Sequence, residues 1–412
     1  MLEQYDFVIY GTASALIFGR LFFPNISPTA GTMASFGAYA VGFAARPLGG
    51  LFFSRYGDRL GRKWVLVATL LFMGGSTLAI GLLPTFDQVG LLAPSLLVLC
   101  RFFQGFGAGA EQAGGATLLT ETAPPGQRGR YASLIMVGAA LGTALGAVIW
   151  VLVLLLPQDQ VLAWGWRLIF LSSIVVTIFA MVMRRTLKES PVFRAVRAQA
   201  RESRKPVAEV VKYGTRPLLL VFFMNAGVNA QSYTYQVFMA SYLTSAIGVD
   251  PRFVPRVLLA GAVCGCVSSF LTGALSDVFG RRRVYLLVTG ALVLLPAPAF
   301  IALNSGSTVA IVIAIIFGFM LGAYGAVGVQ MSYFPELFGS RYRYAGVTLG
   351  REFSSVVGGG VAPLICAALL TWFNKSWVPV AIYMTAMSLI SFVAARFAPE
   401  TLNRDLTVER DA

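Results

Sequence analysis

Apolar runs of about twenty residues follow one another along the whole of this chain, and they limit its fold more than any other feature. A helix of ~20 residues crosses the ~30 Å hydrocarbon core of a membrane, whereas a membrane β-barrel would show ~10-residue segments of alternating polarity. The sequence therefore predicts an all-α membrane protein with twelve transmembrane helices. The runs, numbered 1 to 12 in chain order, cover residues 4–22, 31–53, 64–84, 92–121, 131–156, 165–186, 214–245, 253–276, 284–304, 308–333, 345–373 and 377–397.

The positive charges of the chain fall mostly on one side of these runs. A net charge of +14 would suggest a nucleic-acid partner in a soluble protein, so the placement of the charges has to decide. If successive loops alternate across the membrane, 24 of the 32 Lys and Arg residues lie on the same side. By the positive-inside rule that side is the cytoplasm, which then also holds both termini. We therefore expect a multi-pass protein of the cytoplasmic membrane that has no nucleic-acid partner.

One polar loop occurs twice. The stretch from Ser54 to Lys63 lies between runs 2 and 3, and a close copy, Gly273 to Arg283, lies between runs 8 and 9, 219 residues later. This repetition indicates two related halves, and a segment with ten Lys and Arg residues between positions 184 and 216 joins them. The predicted parts are an N-terminal six-helix bundle (1–186), a basic cytoplasmic linker (187–213), a C-terminal six-helix bundle (214–397) and a short cytoplasmic tail (398–412).

These repeated loops carry a family resemblance. The sequence Asp58-Arg59-Leu60-Gly61-Arg62-Lys63, and its copy that begins at Asp277, resemble the duplicated loop motif of the major facilitator superfamily. Five further motifs resemble the metabolite:proton symporter branch of that superfamily, and the likeness covers nearly the whole chain. These motifs are Ala45–Gly50, Arg101–Glu111, Trp164–Arg167, Glu189–Phe193 and Pro335–Phe338.

The resemblance implies both a fold and an activity. The fold is a pair of pseudo-symmetric bundles of six transmembrane helices, in the inner membrane of a bacterium. The activity is secondary active import of a small organic metabolite by proton symport, in which alternating access exposes a midplane site to each side in turn. The expected partners are a small-molecule substrate, the proton and the lipid bilayer, and we expect a monomer. The resemblance implies a transporter and not an enzyme, with no cofactor and no metal.

The resemblance also assigns gating roles to the two repeated loops. Their carboxylates stand beside helix ends, where helix dipoles and arginines can hold a carboxylate in one conformation and release it in another. We therefore predict that both loops act as conformational latches. The gating residues are Asp58, Arg59, Gly61 and Arg62 in the first loop and Asp277, Gly280 and Arg281 in the second.

Three arginines stand within apolar runs, where a charge is costly and usually faces a partner or a water-filled cavity. They are Arg46 in run 2, Arg101 in run 4 and Arg351 in run 11. Because the guanidinium fork suits a carboxylate, they favour a substrate with at least one carboxylate. The alternative is that a protein acid neutralises each arginine. Glu352 follows Arg351 directly and is a further candidate for substrate specificity.

The remaining candidates for substrate binding are uncharged side chains that form hydrogen bonds. Such groups can orient a small polar solute, but they can equally bind helices to one another. We favour the solute site and leave the second role open. The residues are Tyr10, Gln104, Asn225, Asn229, Gln231, Tyr235, Tyr324 and Gln330.

A carboxylate must carry the coupled proton, since the chain contains no histidine. The available acids are Asp6, Glu111 and Glu352. The pKa of a buried carboxyl rises with desolvation and falls beside an arginine, so a change of surroundings can switch its protonation. We predict Glu111 as the proton carrier, with Arg101 as the residue that modulates it. Asp6 remains a second candidate for the proton carrier. The alternative is that Asp6, as an acid near a helix start, simply caps the helix.

Other functions of the same or another class stay in view. Proton-coupled uptake of a zwitterionic osmolyte and export of drugs by antiport both fit the fold. Run 5 has no Gly-Pro step of the kind typical of antiporters in the superfamily, which favours symport. A sensor would need an additional domain, and an enzyme would need a nucleophile–base pair or a metal-ligand cluster. We predict proton-coupled import of a carboxylate.

Overall fold

The structure is a computed structural model that describes residues 1–60, 62–109, 111–186, 206–409 and 411–412. The side chains of residues 54–66, 110–112, 183–206 and 410 lie outside this description. Within it the chain is helical almost throughout, and the helices form twelve segments, α1 to α12, in two groups of six. This arrangement confirms the predicted all-α fold.

The N-terminal half contains the first six segments and the C-terminal half the other six. The first half consists of α1 (Leu2–Leu16 and Phe18–Phe22), α2 (Pro28–Leu60), α3 (Arg62–Leu82), α4 (Leu92–Thr122), α5 (Arg128–Val153) and α6 (Gln158–Gln160, Val161–Gly165, Trp166–Leu171 and Ser173–Thr186). The second consists of α7 (Thr215–Tyr233, Thr234–Phe238, Met239–Tyr242 and Leu243–Ile247), α8 (Val254–Phe279), α9 (Arg281–Leu294 and Pro296–Leu303), α10 (Thr308–Leu337), α11 (Arg343–Trp372) and α12 (Val378–Phe397).

Several of these segments are broken or bent. By length and hydropathy alone, seven of the described helices can span a membrane, or eight if the two pieces of α9, bent by 45°, form one span. A short helix, Pro206–Tyr213, precedes α7 and is called the linker helix below. It is the described part of the predicted linker, because residues 187–205 lie outside the description.

Helices α2 and α4 pack with their backbones in contact because glycines line the seam. A Cβ added to Gly105 would overlap the carbonyl of Gly42, and one added to Gly109 would overlap the carbonyl of Arg46. Small residues permit this approach between helices in a membrane. The seam brings the two arginines of these helices, Arg46 and Arg101, into the same region of the N-terminal half.

The two halves meet mainly along α5 with α8 and along α2 with α11. One end of the bundle carries the end of α4, the start of α5, the end of α8 and the start of α11, and we call it the basic face. Here Arg343 of α11 pairs with Glu121 of α4 at 2.7 Å, which joins the two halves. Nearer the centre, the hydroxyls of Thr143 in α5 and Tyr324 in α10 lie 2.6 Å apart.

Helices of the C-terminal half widen into π-helical turns near their middle. Such turns often occur at functional sites, because they displace side chains from the regular helical positions. One of them, in α11, lies against α2 of the other half. The π-helical turns near the middle of α7, α10 and α11 are Thr234–Phe238, Gly318–Gly325 and Val356–Gly360, and α7 ends in a second one, Leu243–Ile247.

Candidate transport site

Arg46 lies near the middle of α2 and pairs with two carboxylates. Its Nη1 lies 2.7 Å from Oε1 of Glu3 in α1. Its Nε donates to Oε2 of Glu352 in α11 at 2.7 Å, and its Nη2 reaches Oε1 of the same residue at 3.4 Å. All three side chains are buried. Because Glu352 belongs to the other half, Arg46 is an ionic connection between the two bundles.

Aromatic rings surround this connection. The guanidinium carbon of Arg46 lies 5.4 Å from the ring centre of Phe7 and 5.5 Å from that of Phe43. Phe43 in turn makes an edge-to-face contact with Tyr233 of α7, with ring centres 4.8 Å apart. The rings exclude water, and in a medium of low dielectric constant an ion pair is correspondingly stronger.

Arg101 in α4 is held in a different way. Its guanidinium carbon lies 4.0 Å from the ring centre of Tyr10, 4.8 Å from that of Phe7 and 4.9 Å from that of Tyr39. A cation is attracted to the face of an aromatic ring at such distances. We call these three rings the aromatic cage. Phe7 contacts both arginines, so the two sites adjoin.

The hydrogen bond of Arg101 goes to a neutral group. Its Nη1 donates to Oε1 of Gln104, and Nε2 of Gln104 donates to the hydroxyl of Thr77 in α3 at 2.6 Å. Its Nε and Nη2 are buried and have no hydrogen-bond partner among the described residues. Buried donors normally find a partner, because an unsatisfied one costs ~1–3 kcal/mol. Arg101 therefore keeps two buried donors that no described group satisfies.

The glycine seam explains how Arg101 fits. A Cβ added to Gly42 would stand 3.1 Å from both Nε and Nη2 of Arg101, so glycine leaves the space that the guanidinium occupies. Because α1 supplies Phe7 and Tyr10 while α2 supplies Tyr39, the cage exists only when α1, α2 and α4 are packed together. The predicted candidates Arg101, Tyr10 and Gln104 thus come together at one place.

The described buried charges near the centre of the protein are balanced. Asp6 is fully buried and interacts electrostatically with Arg101. Among the central side chains that the structure describes, three arginines stand against three carboxylates. They are Arg46, Arg101 and Arg351 against Glu3, Asp6 and Glu352. None is more than 6% exposed, so this conformation closes the site.

Asn225 and Asn229 of α7 face α11 within the C-terminal half. The side-chain amide of Asn225 donates to the hydroxyl of Ser354 at 2.7 Å, and that of Asn229 donates to Ser355 at 2.9 Å. Both serines also donate to the carbonyl of Arg351. The two asparagines thus hold α7 to the turn of α11 that carries Arg351 and Glu352. Their role in substrate binding stays a prediction.

The other polar candidates contact other elements. The amide of Gln231 donates to the carbonyl of Met384 at 3.1 Å and to Ser388 at 2.6 Å, both in α12. The amide of Gln330 donates to the hydroxyl of Tyr285 in α9 at 2.9 Å. Gln231 and Gln330 thus bind helices to one another in this conformation. Their assignment to a substrate site stays a prediction.

Tyr235 and Tyr324 occupy two different seams. Tyr235 is buried in α7 against Gly318 of α10, where an added Cβ would overlap its ring. Tyr324 reaches the other half through Thr143. The assignment of both residues to a substrate site stays a prediction.

The second repeated loop contacts the start of α5. The carboxylate of Asp277 accepts hydrogen bonds from the backbone N–H groups of Gly129 and Arg130, both at 2.8 Å, and lies 2.7 Å from Nη1 of Arg281. An acid is stabilised at a helix start, where the N–H groups are unpaired and the dipole is positive. Gly280 has a φ of 98°, which lets the chain turn at this point.

Some predicted residues lie outside the description. The side chain of Glu111, the predicted proton carrier, is one of them. The side chains of the first gating loop, Asp58, Arg59 and Arg62, are also outside it, as is Gly61 altogether. Their assignments stay predictions.

Glu3 was missed by the sequence analysis, and a signal for it existed. Run 1 was bounded at residue 4, which placed Glu3 outside the membrane, whereas α1 begins at Leu2. Glu3 and Asp6 stand three residues apart, on one face of that helix. Two acids at this spacing beside an apolar run would have indicated a buried pair.

Two six-helix bundles that close around a buried ionic cluster are the architecture of a membrane transporter. The family model of the Major Facilitator Superfamily matches residues 7–351, and the chain belongs to this superfamily. It is 40% identical to the shikimate transporter of Escherichia coli (strain K12), over 96% of this chain and 91% of that one.

Further relatives are also transporters. The chain is 36% identical to the inner membrane metabolite transport protein YhjE of Escherichia coli (strain K12), over 98% of this chain and 93% of that one. It is 34% identical to a putative proline/betaine transporter of Staphylococcus aureus (strain COL), over 96% of this chain and 85% of that one. The crystal structure of a D-xylose-proton symporter has the same fold, with a TM-score of 0.72, 14% identity and 98% of each chain covered.

Proposed function

We propose that this protein imports a small organic carboxylate together with protons, by alternating access. The observation that carries the proposal is the pair of unpaired donors, Nε and Nη2 of Arg101, buried beside the aromatic cage. Two donors of one guanidinium match the two oxygens of a carboxylate. The rings of the cage add apolar contact for the rest of a small substrate.

The charge balance of the site supports coupling to protons. Three central arginines face three described carboxylates, so a bound substrate carboxylate would leave one excess negative charge in a low-dielectric region. Such an excess is expensive, and a group in this position takes up a proton instead. One proton for each monovalent carboxylate keeps the site neutral.

Arg46 supports a route from protonation to opening. Glu3 and Glu352 both pair with it, and only Glu352 belongs to the C-terminal half. A proton on Glu352 would remove its charge and weaken the connection between the halves at this point. Protonation would therefore favour the conformation in which α2 and α11 are separated. A coupled transporter needs such a dependence of its conformational equilibrium on the bound proton. Glu111 stays the candidate predicted from the sequence.

The relatives suggest a substrate to test first. Shikimate is a hydroxylated ring carboxylate, and the shikimate transporter of Escherichia coli is 40% identical to this chain. Its carboxylate suits Arg101, and its hydroxyls suit amides and tyrosines such as Asn225, Asn229 and Tyr39. Tyr39 has a buried hydroxyl with no hydrogen-bond partner in the described part of the chain.

A zwitterionic osmolyte is a second candidate. The putative proline/betaine transporter of Staphylococcus aureus is 34% identical to this chain, and aromatic rings attract quaternary ammonium groups. A zwitterion adds no net charge, however, so it would bind to the neutral site without a proton. The identity of the solute that accumulates under a pH gradient therefore separates the two candidates.

The test is uptake into proteoliposomes with an imposed pH gradient. Shikimate, another small carboxylate, glycine betaine, proline and xylose are offered in turn. We expect the carboxylates to accumulate only while the gradient is present, and a protonophore to stop them. Accumulation of betaine or proline alone, or of a carboxylate without any gradient, would contradict the proposal.

The proton carrier can be identified by comparing accumulation with counterflow. Glutamine keeps the size of glutamate but cannot titrate, so a variant of the carrier should lose accumulation and keep exchange of preloaded substrate. The variants are Glu111→Gln, Glu3→Gln and Glu352→Gln, with Asp6→Asn as the control for a helix cap. If Glu111→Gln accumulates substrate as well as the wild type, Glu111 does not carry the proton, and one of the other acids does.

We propose that the second repeated loop is a conformational latch at the basic face. Asp277 binds the start of α5 in the other half, so it must let go when the halves separate at this face. Asp277→Asn should shift the distance distribution between spin labels on α5 and α8 toward longer distances. Asp58→Asn tests the first loop in the same way. An unchanged distribution together with an unchanged transport rate would rule the latch out.

We further propose that the basic face lies in the cytoplasm. The proposal rests on the positive-inside rule and on the Lys and Arg residues in its loops. Single cysteines placed in 55–63 and 277–283 should escape a membrane-impermeant label in sealed cells. Labelling of both loops from outside would show that the basic face lies on the outer side of the membrane.

A further inference from the structure

A large groove lies on the outer surface of the C-terminal half, between α7 and α12. Its volume is about 980 Å³. Its walls consist mostly of apolar side chains, and the large exposed ones, each at least 41% exposed, face away from the ionic site at the centre. The exposed apolar residues that line it include Leu219 and Phe223 from α7 and Leu389, Ile390 and Val393 from α12.

The groove is fixed by contacts beneath it. The hydroxyl of Ser391 donates to the carbonyl of Met224 at 2.6 Å, and Gly227 approaches Met387 so closely that an added Cβ would overlap its carbonyl. Because α7 and α12 already touch at this seam, they cannot close the groove by moving together. In a bilayer such a space is filled, since an empty apolar cavity forfeits the contacts of its walls.

The groove has the length of one leaflet. On α7 the lining runs from Thr215 to Phe223, and on α12 it runs from Ala386 to Phe397. At 1.5 Å per residue these stretches measure roughly 12 and 16 Å, while half of the hydrocarbon core measures about 15 Å. Both stretches end at the basic face, so the groove crosses the leaflet on that side.

A positive charge stands at the outer end of the groove. Arg216 lines it at the start of α7, is exposed, and forms no ion pair within the described ranges. Arg396, also exposed, belongs to the last turn of α12, one residue before Phe397. The exposed Val211 and Tyr213 of the linker helix suit the interface between lipid and water. Arg216 is thus at headgroup depth, above an apolar channel.

We propose that an anionic phospholipid of the leaflet at the basic face binds here, with one acyl chain in the groove and its phosphate at Arg216. The apolar walls fit the chain, and the exposed arginine complements the headgroup charge. The acyl chain of a zwitterionic lipid can fill the same groove, but its headgroup is attracted less to the arginine. An anionic lipid surface usually attracts each basic residue by ~1 kcal/mol. The site is independent of the transported substrate.

The test uses the full chain in detergent with added phosphatidylglycerol or phosphatidylcholine, followed by native mass spectrometry. We expect the wild-type protein to retain phosphatidylglycerol about fivefold better than phosphatidylcholine. Arg216→Gln should remove this preference, and Arg216→Lys should keep most of it. Arg256→Gln changes the net charge equally but lies at the start of α8, away from the groove, and should leave the preference unchanged.

A second variant tests the acyl chain. Ala386→Phe places a ring at the inner end of the groove, and we expect it to lower retention of both lipids while uptake in proteoliposomes continues. An unchanged preference in Arg216→Gln, or unchanged retention in Ala386→Phe, would overturn the proposal. Recovery of a dimer that carries no bound lipid would mean that a second copy of the chain fills the groove. That result would also overturn the proposal.

Discussion

Arg46 and Arg101 adjoin the same ring, Phe7, yet the protein treats their charges in opposite ways. Arg46 has two carboxylates within 2.7 Å, one of them from the other half. Arg101 is surrounded by aromatic faces and hydrogen-bonds a neutral amide. Arg46 is neutralised by these carboxylates, while two donors of Arg101 have no hydrogen-bond partner among the described residues.

This difference teaches that burial alone does not assign a role to an intramembrane arginine. A buried ion pair contributes little net stability, but breaking it by removing one partner is costly. A buried arginine without an acid in direct contact costs stability and is retained for what it binds. This contrast supports the proposal that Arg46 connects the halves and that Arg101 binds the substrate.

Removal of Arg46 should have the largest effect on stability. Arg46→Met leaves Glu3 and Glu352 without their shared cation, and we expect the free energy of unfolding to fall by about 3–5 kcal/mol. Thermal unfolding in detergent measures the loss. The double variant Arg46→Met, Glu352→Gln should recover part of it, because the described central charges, Arg101 and Arg351 against Glu3 and Asp6, are then balanced again. If Arg46→Met is as stable as the wild type, the ion pairs of Arg46 do not stabilise the fold.

Removal of Arg101 should affect transport instead. Arg101→Met deletes two charged donors to the substrate, and at ~1.5–3 kcal/mol for a hydrogen bond to a charged group we expect kcat/KM for carboxylate uptake to fall about 100-fold or more. Thermal unfolding should change less than in Arg46→Met, since Arg101 makes no direct ion pair with the described side chains and interacts with Asp6 only at longer range. If the variant unfolds as readily as Arg46→Met, both arginines are structural.

Positioning of Arg101 should have a smaller effect. Thr77→Val removes the hydroxyl that receives the amide of Gln104, which in turn holds Arg101. We expect about a fivefold rise in KM with little change in kcat, from the loss of ~1 kcal/mol in orientation. Thr77→Ser, which keeps the hydroxyl, is the matched control. A similar KM in both variants would mean that Gln104 does not orient the guanidinium.

Removal of a bond between helices should have the smallest effect. Gln231→Met deletes the hydrogen bonds from α7 to α12, and we expect a loss of about 1 kcal/mol in the free energy of unfolding and no change in KM. Asn225→Leu is the comparison, because Asn225 adjoins the turn of Arg351. A rise in KM for Gln231→Met without a rise for Asn225→Leu would indicate that Gln231 contacts the substrate.

Much of the site could be predicted because charges in apolar runs are visible in any sequence. Arg46, Arg101, Arg351, Asp6 and Glu352 were all found in this way. Their partners could not be found, since Arg46 and Glu352 stand 306 residues apart and periodicity constrains only neighbours on one helix. The aromatic cage was missed for the same reason: its rings come from α1 and α2 around a residue of α4.

By itself the sequence determined the class of fold, the number of spans and the division into halves, because the bilayer demands ~20 apolar residues per helix and a repeated loop is visible at any distance along the chain. It also determined which charged residues need an explanation. Only the tertiary structure decided which arginine is neutralised and which has donors without a partner among the described side chains, because that depends on which side chains of α1, α4 and α11 face α2. Hydrogen bonds and ion pairs act over a few ångströms, and packing alone brings distant residues within that range.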